Sequence, residues 1–268
     1  MTIGPFAFPV TPLVFALAVA VALLVGRLAH RIPGVTSRAV TLTVAAGLLA
    51  ARLAFVVRYL PQYQHSVVSM VDFRDLGFDA LAGLVGGAGM AAWLFYRHRD
   101  LRVALGMALS AGLVTWGAAN AVAHSGASRE TLPAVMLADE SGGARLLSPD
   151  GGRPTIVNLW ASWCGPCRSE LPALATAQRD HPEVRIVFVD EGETPAAVRD
   201  YLAAQHIALS NLMLDPRQVM MKQAGTAGLP TTLFYDAAGG LLARHLGPFS
   251  AATFQDALKR YYPGLSRK

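Results

Sequence analysis

Two hydrophobic rhythms divide this chain. In the first half, apolar residues run almost unbroken through Thr11–Ala29, Ala39–Leu60, Leu76–Tyr96 and Leu101–Ala123. Each run approaches the roughly 20 residues that a helix needs to cross a bilayer. In the second half the runs shorten: Thr155–Trp160, Val184–Val189 and Thr231–Tyr235 are brief, apolar and rich in β-branched residues, and a turn at Ala237-Ala238-Gly239-Gly240 leads into Leu241–His245. These read as strands, while Pro195–Gln205 and Ala251–Tyr261 carry helical spacing. Strand, helix, strand, helix, hairpin, helix is an α/β order. The expected fold is therefore an all-α membrane domain of four transmembrane helices followed by an α/β domain.

Between the halves, Ser125 to Asp150 turns small and polar, with Ser125-Gly126, Ser141-Gly142-Gly143 and Asp150-Gly151-Gly152, which suits a linker and a lead-in hairpin. The expected boundaries are a membrane domain at 1–124, a linker at 125–131 and a second domain at 132–268. Met1–Val10 has no Lys or Arg, and three more apolar runs follow the first, so that run reads as a retained helix, not a cleaved signal. The connection after it holds Arg27, Arg31 and Arg38 without an acid, and the third connection holds Arg97, Arg99 and Arg102 against Asp100 alone. Both are expected on the cytoplasmic side. Pro61–Asp75, with Asp72 and Asp75 around Arg74, falls opposite, and four crossings return the second half to that same extracytoplasmic side.

Composition agrees: 53% hydrophobic and 15% charged residues are too apolar for an ordinary soluble pair of domains. The formal charge of +5 is scattered and flanks the apolar runs, so membrane topology explains it and nucleic acid is not an expected partner. Only two cysteines occur, Cys164 and Cys167. None lies in an apolar run, so the chain cannot pass electrons across a bilayer by a thiol relay.

The strand ending at Trp160 runs directly into Ala161-Ser162-Trp163-Cys164-Gly165-Pro166-Cys167, and Arg168–Gln178 can form a helix beginning at the cysteines. Unpaired N–H groups and the dipole at a helix start favour a thiolate, lowering the first cysteine below the free value of about 8.5. Cys164 is then the attacking thiol and Cys167 the resolving one. A static disulfide or half of a zinc site would also contain two cysteines. Zinc takes four ligands, and His30, His65, His98, His124, His181, His206 and His245 show no ligand-like spacing. A static bridge leaves the Gly165-Pro166 filling and the strand-to-helix setting unexplained. No metal or organic cofactor is expected beyond the redox-active pair.

The stretch Val157-Asn158-Leu159-Trp160-Ala161-Ser162-Trp163-Cys164-Gly165-Pro166-Cys167-Arg168-Ser169-Glu170-Leu171-Pro172 resembles the TlpA/ResA branch of the thioredoxin superfamily. The likeness continues through Val189-Asp190-Glu191-Gly192-Glu193 and Gly228-Leu229-Pro230-Thr231-Thr232-Leu233-Phe234. It implies a thioredoxin-like α/β fold, thiol-disulfide exchange at Cys164 and Cys167, and supporting roles for Trp163, Gly165, Pro166, Leu229 and Pro230, with Pro230 a cis-proline beside the dithiol. Asn158 replaces the buried acid of thioredoxin itself. Glu170, three residues after Cys167, matches an acid of the ResA-like branch and is the candidate for proton exchange with Cys167, against the alternative of an ordinary first-turn glutamate. Leu229 replaces the usual β-branched residue before the proline, which bears on partner choice.

In the first half, Ala51-Arg52-Leu53-Ala54-Phe55-Val56-Val57-Arg58-Tyr59, Gly83-Leu84-Val85-Gly86-Gly87 and Trp93-Leu94-Phe95 resemble parts of the prolipoprotein diacylglyceryl transferase family. That family's catalytic His-Gly-Gly falls on Leu81-Ala82-Gly83, so the likeness implies a degenerate relative without the activity. Arg52 lies inside an apolar run, where a charge faces a cavity, a lipid or protein partner, or an acid such as Asp79. Gly83, Gly86, Gly87 and Gly89 suit close helix packing.

These readings point to a periplasm-facing, inner-membrane protein-disulfide reductase. Its expected partners are cysteine- or disulfide-containing extracytoplasmic proteins, a separate membrane electron-transfer protein and the lipid bilayer. The alternatives are a disulfide oxidase, a thiol-dependent client-binding or chaperone module, and a residual lipid-handling enzyme regulated by its second half.

Overall fold

A computed structural model of the chain describes residues 2–3, 6–7, 10–29, 34–63, 70–125, 130–226 and 228–264. Arg31, positions 64–69 of the second connection and positions 126–129 of the expected linker lie outside the described residues. The chain divides into two compact units, one of Val10–Ala127 and one of Ser128–Lys268 with Met1–Pro9. In the second unit's N-terminal segment, β1 (Thr2–Ile3) and β2 (Phe6–Ala7) form a short antiparallel pair.

Each apolar run of the first unit forms a helix: α1 (Val10–Ala29), α2 (Val35–Arg58), α3 (Ala80–Arg97) and α4 (Arg102–Ser125). Three candidate spans are long and apolar enough to cross a membrane, Pro12–Ala29, Val35–Arg58 and Arg99–Val122. Of the four expected spans, α3 is the one outside this set. The 18 residues of α3 include four glycines and end on Tyr96-Arg97, which dilutes the apolar character of the run. The helices pack through small residues. A Cβ built on Gly86 would stand 2.4 Å from the Ala50 Cβ, and one on Gly112 3.1 Å from the Ala18 carbonyl oxygen. Lipid gives helices no hydrophobic reason to associate, so close backbone approach supplies the contact. Arg52 is buried. Its Nη1 donates to Asp75 Oδ1 (3.0 Å) and the Gly77 carbonyl (2.8 Å), its Nη2 to the Asp72 carbonyl (2.8 Å) and its Nε to the Met70 carbonyl (3.0 Å). The acid facing Arg52 is thus Asp75. Asp79 instead pairs with Arg58 (2.7 Å) and caps α3 by accepting from the Ala82 N–H (2.9 Å).

The second unit is an α/β domain on a seven-stranded sheet. Its elements are β3 (Val135–Ala138), β4 (Ala144–Leu147), β5 (Thr155–Trp160), α5 (Gly165–Asp180), β6 (Arg185–Glu191), α6 (Pro195–Ala204), β7 (Leu212–Asp215), α7 (Val219–Gln223), β8 (Thr231–Tyr235), β9 (Leu241–Leu246) and α8 (Ala251–Tyr261). The strand order is β4-β3-β7-β6-β5-β8-β9, with β5, β6 and β7 parallel and the other pairs antiparallel. Every residue of β5 is buried, as its unbroken apolar run requires of a central strand covered on both faces. Ile156, Trp160, Ile186 and Phe188 meet Leu171, Leu174, Val198, Leu202, Phe254 and Leu258 from α5, α6 and α8 on one face. The alternate positions Val157, Leu159, Val187 and Val189 face Leu132, Val135, Leu147 and Met220 on the other, the period-two division of a strand. This is the thioredoxin-like architecture. The central strand β5 therefore delivers the cysteine turn to one edge of the core.

Candidate active site

Cys164 is the N-cap of α5. Its backbone is extended (φ −81°, ψ 107°), and its Sγ accepts a hydrogen bond from the Cys167 N–H at 3.2 Å. Gly165 and Pro166 occupy the first helical positions, where Pro166 loses no needed donor because those N–H groups have no intrahelical acceptor. The two cysteines are joined in a disulfide, with Cα atoms 5.3 Å apart. Cys167 is fully buried, whereas Cys164 keeps 6% exposure, so an incoming sulfur reaches Cys164 first. A partly accessible sulfur at a helix N-terminus with a buried one behind it is the arrangement that two-step disulfide exchange needs.

A groove of about 550 Å³ opens beside the dithiol, lined by Trp163, Cys164, Gly165, Pro166, Gln218, Met221 and Leu229. Trp163 stands 66% exposed at its rim. The Leu229–Pro230 peptide is cis, Pro230 is buried, and its carbonyl accepts from the Gly247 N–H at 3.0 Å. The fold thus brings Trp163, Gly165, Pro166 and Leu229 to one groove and leaves Glu170 and Pro230 out of its lining. Gln218 and Met221 have no local signature: they reach the groove through the short α7, invisible to periodicity, and the left-handed backbone of Gln218 (φ 54°) at its start.

Glu170 sits one helical turn past Cys167, fully buried, which sets aside the reading of an exposed first-turn glutamate. Asn158 Nδ2 donates to Glu170 Oε1 (2.8 Å) and to Thr232 Oγ1 (3.0 Å), and the Phe249 N–H donates to Glu170 Oε2 (2.8 Å). Burial pushes the carboxyl up to about 8, against the opposing pull of the Phe249 and Asn158 hydrogen bonds, because desolvation penalises the charged form. Its proton is then held about as tightly as that of a free thiol, at about 8.5. Asn158, noted in the sequence only as a missing acid, is here the donor that holds this acid. Among the described residues no group of three or more His, Cys, Asp or Glu side chains is placed to hold a metal.

The Redoxin family profile matches residues 127–260. The thiol:disulfide interchange protein HelX of Rhodobacter capsulatus is 36% identical over 120 residues, covering 44% of this chain and 67% of that protein. The sporulation thiol-disulfide oxidoreductase A of Bacillus subtilis is 28% identical over 152 residues, covering 54% of this chain and 89% of the relative. The crystal structure of StoA from Bacillus subtilis aligns at a TM-score of 0.41 and 26% identity, over 46% of this chain and 98% of that one.

Proposed function

Because the chain belongs to the Redoxin family through residues 127–260 and is a thiol-disulfide oxidoreductase, we propose that it is a membrane-anchored protein-disulfide reductase acting on extracytoplasmic proteins through Cys164 and Cys167. The Cys164 thiolate attacks a client disulfide, forming a mixed disulfide and expelling one client thiolate. Cys167, its proton taken by Glu170 in its ionised form, then attacks Cys164 Sγ and expels the second client thiolate. The client gains two electrons, its two thiolates take up protons from solvent, and the domain is left with the Cys164–Cys167 disulfide. Trp163, Gly165, Pro166, Leu229 and cis-Pro230 shape the surface that receives the client. A separate membrane electron-transfer protein re-reduces the pair, since no other cysteine exists in the chain.

The observation that carries the reductase direction is the buried Glu170 carboxyl, held by Asn158 and the Phe249 N–H one turn beyond Cys167. When ionised, an acid there, with no cation paired to it among the described residues, disfavours thiolate formation and so favours the disulfide form, which makes the dithiol reducing. Residues 1–124 anchor the chain in a bacterial inner membrane by four crossings, 125–131 link, and 132–268 work in the periplasm. The membrane part descends from a diacylglyceryl-transferase-like scaffold and no longer performs that reaction, in keeping with the engagement of Arg52 by Asp75 and three backbone carbonyls. Glutathione equilibration of the full chain in detergent tests the direction: a midpoint of roughly −200 to −270 mV is expected, and one near about −120 mV assigns an oxidase instead.

A further inference from the structure

A second pair of carboxyls lies on the Cys164 side of the site, apart from Glu170. Glu193, in the loop between β6 and α6, accepts from the Ser162 N–H at Oε2 (2.5 Å) and from the Ser162 hydroxyl at Oε1 (2.6 Å). Ser162 belongs to the turn in which the Cys164 N–H donates to the Ala161 carbonyl (3.2 Å), so Glu193 ties this loop to the turn that presents Cys164. Behind it, Asp190 is fully buried at the C-terminal end of β6, flanked in the sheet by Trp160 of β5 and Leu214 of β7. Its Oδ1 accepts from the Glu193 N–H (3.2 Å), and its Oδ2 is buried without a partner.

An ionised carboxylate with an orphaned, buried oxygen is expensive, and protonation removes that expense. Burial first and the Glu193 carboxyl second push Asp190 up to about 8, with a smaller contribution from Glu191. Glu191 is the next residue on the strand and points to the opposite face, paired in register with Asp215 of β7. On α5 and α6 the Arg168 guanidinium is engaged with the Tyr201 ring, 5.6 Å from its centroid. Among the described residues no Lys, Arg or His pairs with Asp190, so a proton is what balances it.

We propose that Asp190 is a positioning residue for Cys164: the proton on its buried carboxyl sets the charge behind the Ser162–Cys164 turn, to which Glu193 ties it. With the proton present, Asp190 is neutral and the Cys164 thiolate forms readily. Once the proton leaves, a buried negative charge opposes that thiolate. Cys164 and Asp190 thus titrate as a coupled system with two macroscopic steps. The inference rests on Cys164 being the attacking thiol of the proposed reaction, and it does not depend on the direction of electron flow.

The test is the rate at which Cys164 is alkylated by iodoacetamide in the reduced full chain in detergent, followed by mass spectrometry from pH 5 to pH 10. The wild-type profile is expected to show two inflections, one of them near pH 8. Asp190→Asn should match the wild type below pH 7, show a single inflection, and react faster above pH 8 by up to roughly tenfold, the change that one pKa unit produces. A single inflection in the wild type, which needs no variant to fold, overturns the proposal, and so does an Asp190→Asn profile that superimposes on it. Either result leaves the midpoint potential, and with it the reductase reading, untouched, while an oxidising potential with a two-step profile sinks only the latter.

Discussion

At the residue scale the site is governed by which groups near the dithiol hold protons. The two cysteines and the Gly-Pro filling are contiguous, so the chemistry was legible in the sequence, and Glu170 was legible as the one carboxyl close by in the chain. What surrounds Glu170 was not, because Asn158 comes from β5, Thr232 from β8 and Phe249 from the segment before α8, and only the sheet register places them together. Glu170→Gln removes the titrating proton and keeps the shape. Turnover of a disulfide substrate by the full chain should fall by roughly a hundredfold, within the range of general acid-base steps, and the share of the inflection near pH 8 that Glu170 contributes should vanish from its pH dependence. Asn158→Ala withdraws a donor that favours the charged carboxyl, so that inflection should move to higher pH. An unchanged rate and profile in Glu170→Gln would confine the residue to a packing role.

At the scale of elements, β-branched apolar runs and long helix-spaced ones were readable, and β7 and α7 were not. The strand Thr155–Trp160, the strand Thr231–Tyr235 and the helix Ala251–Tyr261 coincide with the runs that predicted them. β7 and α7, four and five residues long, carry too few positions to show a period, and their placement depends on pairing with β6 and on burying Met220. In the membrane unit the glycine pattern foretold packing but not which glycine matters. Gly86 abuts Ala50, whereas a Cβ on Gly89 would meet nothing within 4 Å. Gly86→Ala should therefore force α2 and α3 apart and lower the midpoint of helix loss in mixed detergent titrations, while Gly89→Ala should not. Adding Ala50→Gly to Gly86→Ala should restore the midpoint. Failure of that rescue would show that the contact is not what holds the two helices.

For the whole molecule, the decisive question is the side of the membrane on which Cys164 works. The count turns on α3, which equals the Pro12–Ala29 span in length but, with four glycines and a Tyr96-Arg97 end, is not among the three candidate spans. We propose that the arginines set the parity. Arg27 ends α1 and Arg38 begins α2, while Arg97 ends α3 and Arg102 begins α4. Short loops rich in arginine stay cytoplasmic, so both connections belong on one side, and that is possible only if α2 and α3 together cross and return. If α3 remained at the surface, the Arg97–Arg102 connection would lie on the side opposite Arg27 and Arg38, against the charge rule. On this proposal four crossings put residues after Ser125 outside the cytoplasm, where disulfides persist. The chain carries its own reporter, because both thiols lie in the α/β domain. After mild reduction, a membrane-impermeant maleimide should label Cys164 in intact spheroplasts as fully as in lysed ones. Labelling that appears only after lysis would place the dithiol in the cytoplasm, remove the need for a transmembrane electron donor, and reduce the span count to three.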